Sequence, residues 1–190
     1  MGANKFRPKA FYALVCALST EGFALIDFPG GIGYKSVTIK STTLESESSS
    51  KLAGPEIQGS LHVDPFPVLP FSFGGTLHYA TLSGGTNPEN VKGWGLDLEA
   101  RIWYPFMSSS FTPFFKGGYT VGGDYRVKTQ EETYTCEPSG LAVSAGLRYD
   151  IIFRNGVFIQ ATYRSTKLTH RLYTQEENSI SALLGGQVGF

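Results

Sequence analysis

Cysteine is nearly missing: Cys16 and Cys136 are the only pair in 190 residues, too few for a disulfide-rich scaffold. Net charge is missing as well. Sixteen Lys and Arg balance sixteen Asp and Glu, so no basic field marks the chain for nucleic acid. Long apolar runs are absent from its body, where nothing approaches the ~20 residues of a membrane-spanning helix. A chain of this kind can cross a bilayer only as a closed barrel, because an open sheet edge cannot stay unpaired in lipid. What is plentiful is glycine, 23 residues, and aromatic side chains, 14%. That pairing favours β structure with close backbone approaches. The length suits one domain plus a targeting segment.

The start of the chain has the layout of an export signal. Lys5, Arg7 and Lys9 form a basic segment, residues 10–18 (AFYALVCAL) a short apolar core, and Gly22 and Ala24 a small-residue exit. Cleavage is expected after Ala24, with Ser19 as the rival position. The mature domain would then run from 25 to 190 and keep Cys136 alone.

Period-two alternation governs the rest, since successive strand side chains point to opposite faces. Between Val91 and Phe106, Trp94, Leu96, Leu98, Ala100, Ile102, Tyr104 and Phe106 share one face. Asp97, Glu99, Arg101 and Trp103 lie on the other. Related rows run from Phe115 through Tyr119 and Val121 to Tyr125 and Val127, and from Leu141 to Ile151. Shorter ones occupy 56–64, 71–80 and 157–164, and a last row runs from Ile180 to Phe190. An eighth strand at 31–40 slips in its alternation between Tyr34 and Val37, which suggests a bulge. Short connections with turn chemistry fall at 64–70, 107–112 and 153–156. Longer polar ones fall at 41–54, 83–90, 129–139 and 169–178. The expectation is an all-β, closed, antiparallel, eight-stranded up-and-down transmembrane barrel with both chain ends on the short-turn side.

Which face meets lipid follows from charge. The apolar rows carry no charged residue, as a membrane demands when one Lys or Arg at its midplane costs about 2–4 kcal/mol. The opposite face is rich in Gly, Ser and Thr, which suits the cramped interior of eight strands. Aromatic residues would form two belts at the bilayer interfaces. Phe71, Phe73, Tyr104, Phe106, Phe115 and Tyr149 would lie near the short turns, and Tyr79, Trp94, Tyr125 and Tyr163 near the long loops. A soluble lipocalin-like ligand carrier is the competing architecture, with the faces reversed.

These rows resemble the small outer-membrane barrels of the OmpA transmembrane domain, OmpX and opacity-protein type. The likeness spans nearly all of 25–190, and it is to members that consist of the barrel alone. Its most specific mark is the ending, with Phe190 terminal and Val188 and Leu184 on the same face. That is similar to the signature read by the outer-membrane assembly machinery, although Gly186 stands where a hydrophobic residue is usual. The resemblance implies a bacterial outer-membrane location, lipid and the assembly machinery as partners, a monomer, and no cofactor.

The inward charges are the main candidates for a site. Glu56, Asp97, Glu99 and Asp150 could meet Arg101, Lys116, Arg148 and Arg164 in an internal network, because buried charges persist only when paired. His62 and His78 face inward but are too far apart to share a metal, and no catalytic or metal-binding set is expected. A lipid-modifying barrel enzyme is the alternative function. Its nearest material would be Ser165, His170, Ser179 and Glu176 or Glu177. The expected function is a non-enzymatic, envelope-structural or surface-interaction role through four extracellular loops, of which those at 36–54 and 127–140 could bind a surface ligand.

Overall fold

Rows of β-branched and aromatic residues spaced by two commit the chain to strands from Leu25 onward. The computed structural model describes residues 25–190 apart from 43–46, 66–68, 85–87, 105–109, 131, 153–154 and 171–173. The export signal expected over 1–24 lies outside the described residues, as does Phe106. Eight strands follow in order: β1 (Leu25–Thr42), β2 (Glu47–Asp64), β3 (Phe71–Ser83), β4 (Asn90–Trp103), β5 (Phe111–Lys128), β6 (Thr133–Ile152), β7 (Asn155–Thr169) and β8 (Thr174–Gly189). Each pairs antiparallel with its sequence neighbours, and β8 returns to β1, so the sheet closes. Ile26 and Phe190 exchange two backbone hydrogen bonds, 3.0 and 2.9 Å, that seal the seam at the chain ends.

The strands are 13 to 20 residues long, more than the ~9–11 residues that a tilted strand needs to cross a bilayer. The surplus lies at the end away from the chain termini, here called the far end. There the polarity of the wall inverts. On β1, Ile32 and Tyr34 face outward and Lys35 inward. A few residues on, Ser36 and Lys40 face outward while Val37 and Ile39 are buried. On β7, Tyr163 is outward and Arg164 inward, followed by Lys167 outward and Leu168 inward. The lower wall is therefore a membrane barrel, apolar outside and polar within. The far end is built like a water-soluble barrel.

This inversion explains the apparent slip in β1. Its pairing with β2 runs in one unbroken register from Leu25↔Asp64 to Thr42↔Glu47, so no bulge is present there. The apolar residues changed sides because the surroundings of the strand changed. A bulge does exist, but in β5. Leu96 pairs with Gly122 and Asp97 with Thr120, and on the other side Thr120 pairs with Gly140 and Tyr125 with Cys136. One extra β5 residue is inserted between Thr120 and Tyr125, and a shift of one residue exchanges the faces. Gly123 makes this possible: its φ is +153°, and a Cβ there would lie 2.2 Å from the Trp94 carbonyl oxygen. Tyr125 was expected in an outward aromatic belt and is instead 1% exposed, inside the barrel. Val127 follows it inward, while Asp124, Arg126 and Lys128 turn out.

The expected long loops are also corrected. Much of 41–54, 129–139 and 169–178 is strand, because the alternation continues past the bilayer with its polarity reversed. The far-end connections shrink to 43–46, 84–89, 129–132 and 170–173.

Candidate functional site in the barrel lumen

Inward side chains stack in layers from the chain ends to the far end. At the mouth, Arg148 Nε lies 2.6 Å from Asp150 Oδ1, and Thr112 donates to Asp150 at 3.0 Å. Both charged side chains remain partly open, 12% and 25% exposed. Above them Arg101 is sealed. It donates to Asp27, to Ser72 at 3.0 Å and to Gln187 at 3.0 Å, with Asp64 at 3.9 Å. Glu99 follows, accepting from Lys116 at 3.0 Å and from Thr76 at 2.5 Å, with His62 Nε2 2.9 Å away.

The central layer is held by Arg164. It reaches Asp97 at 3.2 Å and Glu56 at 3.0 Å. Thr120 donates to Asp97 at 2.7 Å, and His78 Nε2 lies 3.3 Å from the same carboxylate. The last polar layer is Lys35 with Glu177 at 2.6 Å, the ammonium lying 5.6 Å from the centre of the Tyr125 ring. Over this sits a dry cap that includes Val37, Ile39, Leu52, Leu82, Val91, Val127, Cys136 and Leu168. Burial pushes the Cys136 thiol, beyond the lipid-facing rows, up to about 11.

Inward glycines leave room for larger side chains. A Cβ on Gly146 would lie 2.3 Å from the Phe114 ring, and one on Gly185 2.6 Å from the Phe158 ring. Beside these rings a void of about 10 Å³, lined by Arg101, Lys116, Gln160 and Gln187, has space for one water.

The eight charged residues singled out in the sequence thus face inward, and all but Arg101 pair within that set. Arg101 turns to Asp27 and Asp64, which, like Lys35 and Glu177, lie outside the expected set of inward charges. Asp27 precedes the strand expected at 31–40, Asp64 stands where the expected strand 56–64 meets its turn, Lys35 lies where the alternation slips, and Glu177 falls in an expected loop. Parity along the extended strands would have found all four. Among the described residues, six sealed carboxylates face four sealed cations, with the two imidazoles set beside Glu99 and Asp97. Register separates those rings, since His62 pairs with Gly74 and His78 with Gln58. Among the described residues no three His, Cys, Asp or Glu side chains are placed to hold a metal.

The enzyme alternative depended on residues around the last far-end hairpin. Ser179 and Glu177 are buried in the lumen, whereas Ser165 and Glu176 are on the outer wall. The wall itself divides that set.

Outside, the lipid-facing rows hold Phe71, Phe73, Tyr104, Phe115 and Tyr149 towards the chain-end side and Tyr79, Trp94 and Tyr163 towards the far end, all exposed. Leu184, Val188 and Phe190 of the terminal strand also face outward. Between the two groups are Ile32, Ile57, Leu77, Leu98, Val143 and Ile159, a surface that water would not tolerate on a monomer.

No family model and no curated protein matches the chain. Solved structures do. Neisserial surface protein A superposes with a TM-score of 0.53 at 14% identity, over 86% of this chain and 97% of that one. The attachment invasion locus protein Ail of Yersinia pestis gives 0.48 at 13%, over 88% and 99%. The N-terminal barrel domain of Pseudomonas aeruginosa OprF gives 0.47 at 12%, over 85% and 99%. With its closed eight-strand sheet, its outward apolar rows and its sealed polar lumen, the chain has the fold of the small bacterial outer-membrane β-barrels.

Proposed function

We propose that this protein is a non-enzymatic, non-conducting barrel that serves the envelope as a rigid wall element and presents its far end at the cell surface. The observation that carries the reading is the filled lumen, with ion-pair layers below and a dry apolar cap above. Eight strands leave an interior that side chains can fill. The far-end connections are short, so surface contacts would be made by strand-borne polar rows more than by loops. A monomer fits a wall without edges, and the terminal strand ending in Phe190 supports handling by the assembly machinery. Residues 1–24 act as the export signal in this proposal: from Leu25 onward the chain is built into the wall.

Planar-bilayer recordings of the purified barrel test the central point. The expected result is no stable, large conductance. Long-lived open steps that persist across preparations would overturn the reading. Deletion of the gene should raise detergent sensitivity of the envelope without changing the acyl chains of lipid A by mass spectrometry, whereas altered acyl chains would favour the enzyme.

A further inference from the structure

One stretch of the far-end exterior is electrostatically uncompensated. Lys92 on β4 lies directly opposite Arg126 on β5, and Lys128 lies opposite Asn90 one step further out. Residues directly opposite on paired strands bring their side chains to about 5 Å, and like charges there destabilise the sheet. Lys128 has Glu89 at 3.9 Å, but among the described residues neither Lys92 nor Arg126 forms an ion pair within 4 Å, although Asp124 lies opposite Trp94 nearby. The other wall is built differently. There Lys40, Glu176 and Lys167 follow one another across β1, β8 and β7, with opposite charges side by side.

Position adds a second observation. Tyr79 and Trp94 are cross-strand partners one step below the cations, and both are exposed. Amphipathic rings mark the depth at which headgroups begin, so the two cations sit at headgroup level, with acyl chains below them along Leu77 and Leu98.

We propose that Lys92 and Arg126 bind the phosphate of a lipid headgroup in the leaflet that meets the far end, while Tyr79 and Trp94 pack against its glycerol or sugar portion. The phosphate supplies the counter-charge that the protein omits. Arg126 offers a fork of donors suited to phosphate oxygens, and Lys92 a point charge beside it. This rests on the orientation proposed above but not on the lumen being closed, so conductance recordings and lipid binding can fail separately.

The test uses the full barrel in phosphatidylcholine nanodiscs, titrated with diphosphoryl lipid A and followed through the Trp94 and Gly93 amide resonances. Saturable shifts are expected, weakened about tenfold or more in K92T/R126T and unchanged in K40T/K167T. K92Q/R126Q repeats the measurement with side chains of similar length, and heat-modifiable migration checks that each variant is folded. Equal affinity in all variants would overturn the proposal. Identical saturable shifts with inorganic phosphate alone would overturn the lipid assignment, because the site would then hold a free anion.

Discussion

Arg164 on β7 meets Asp97 on β4 at 3.2 Å across the lumen, joining positions 67 residues apart in the chain. The same guanidinium holds Glu56 on β2, so one side chain ties three separated staves of the wall. Replacing Arg164 by Met leaves two sealed carboxylates without their cation. Loss of one partner from a buried pair costs about 3–5 kcal/mol. R164M should therefore unfold at markedly lower urea in detergent, and the triple variant R164M/D97L/E56L should recover most of the loss. A midpoint for R164M equal to the wild type would show the layer to be energetically idle.

The apolar cap predicts the opposite chemistry a few residues away. Leu82 is fully buried on the inner face, and Leu→Ala in a packed core costs about 2–5 kcal/mol. L82A should destabilise the barrel by that order in the same urea titration, while T135A on the outer face of the same level should be near neutral. Equal effects would mean that the far end is not packed as a core.

Leu98 is 55% exposed and faces outward in the lipid-facing row of β4. L98R should cost about 2–4 kcal/mol in a bilayer and reduce folded protein in membranes, detected as loss of the heat-modifiable form. K92L, six residues further towards the far end on the same face, should fold normally.

These three predictions probe different parts of what the sequence made visible. The fold was legible because lipid and lumen impose opposite demands on alternate residues, and Leu96, Leu98 and Ile102 against Asp97, Glu99 and Arg101 obey them without exception. The far end was less legible because the same period continues with its meaning reversed. Val37 and Ile39 looked like a slip, and Glu177 looked like a loop residue. Tyr125 is a separate case: from Phe115 onward β5 keeps its apolar residues on odd positions, and only the inserted residue beside Gly123 turns them inward. Nothing in the alternation announces an insertion of one. The Gly122–Gly123 pair was the sole local sign.

That glycine yields a prediction of its own. At φ +153° and with the Trp94 carbonyl in the way, a β-branched residue at 123 is strained by about 1–3 kcal/mol. G123V should destabilise the barrel and loosen the far half of β5, read as faster amide exchange at Tyr125 and Val127. Unchanged protection there would show that the bulge does not depend on glycine.

Cys136 reports on the same region. With its thiol held at about 11, the folded protein keeps it protonated at pH 8 and out of reach of maleimide, while the unfolded chain reacts. Above the ordinary cysteine range the unfolded state gives up a proton that the folded state retains. The unfolded form then binds fewer protons, so stability falls as pH rises from about 8.5 towards 11. C136A should remove that part of the alkaline slope, and an unaltered slope would place its origin elsewhere.

The inversion of polarity along the wall also acts as a depth gauge. Sliding the barrel outward would strand Tyr79 and Trp94 in water, and sliding it inward would drag Lys92 and Arg126 into hydrocarbon, so immersion is fixed from both directions. A wall calibrated in this way tolerates little hydrophobic mismatch. In a thicker bilayer it must thin the lipid around it or resist insertion, so bilayer thickness itself would help decide which membrane retains it.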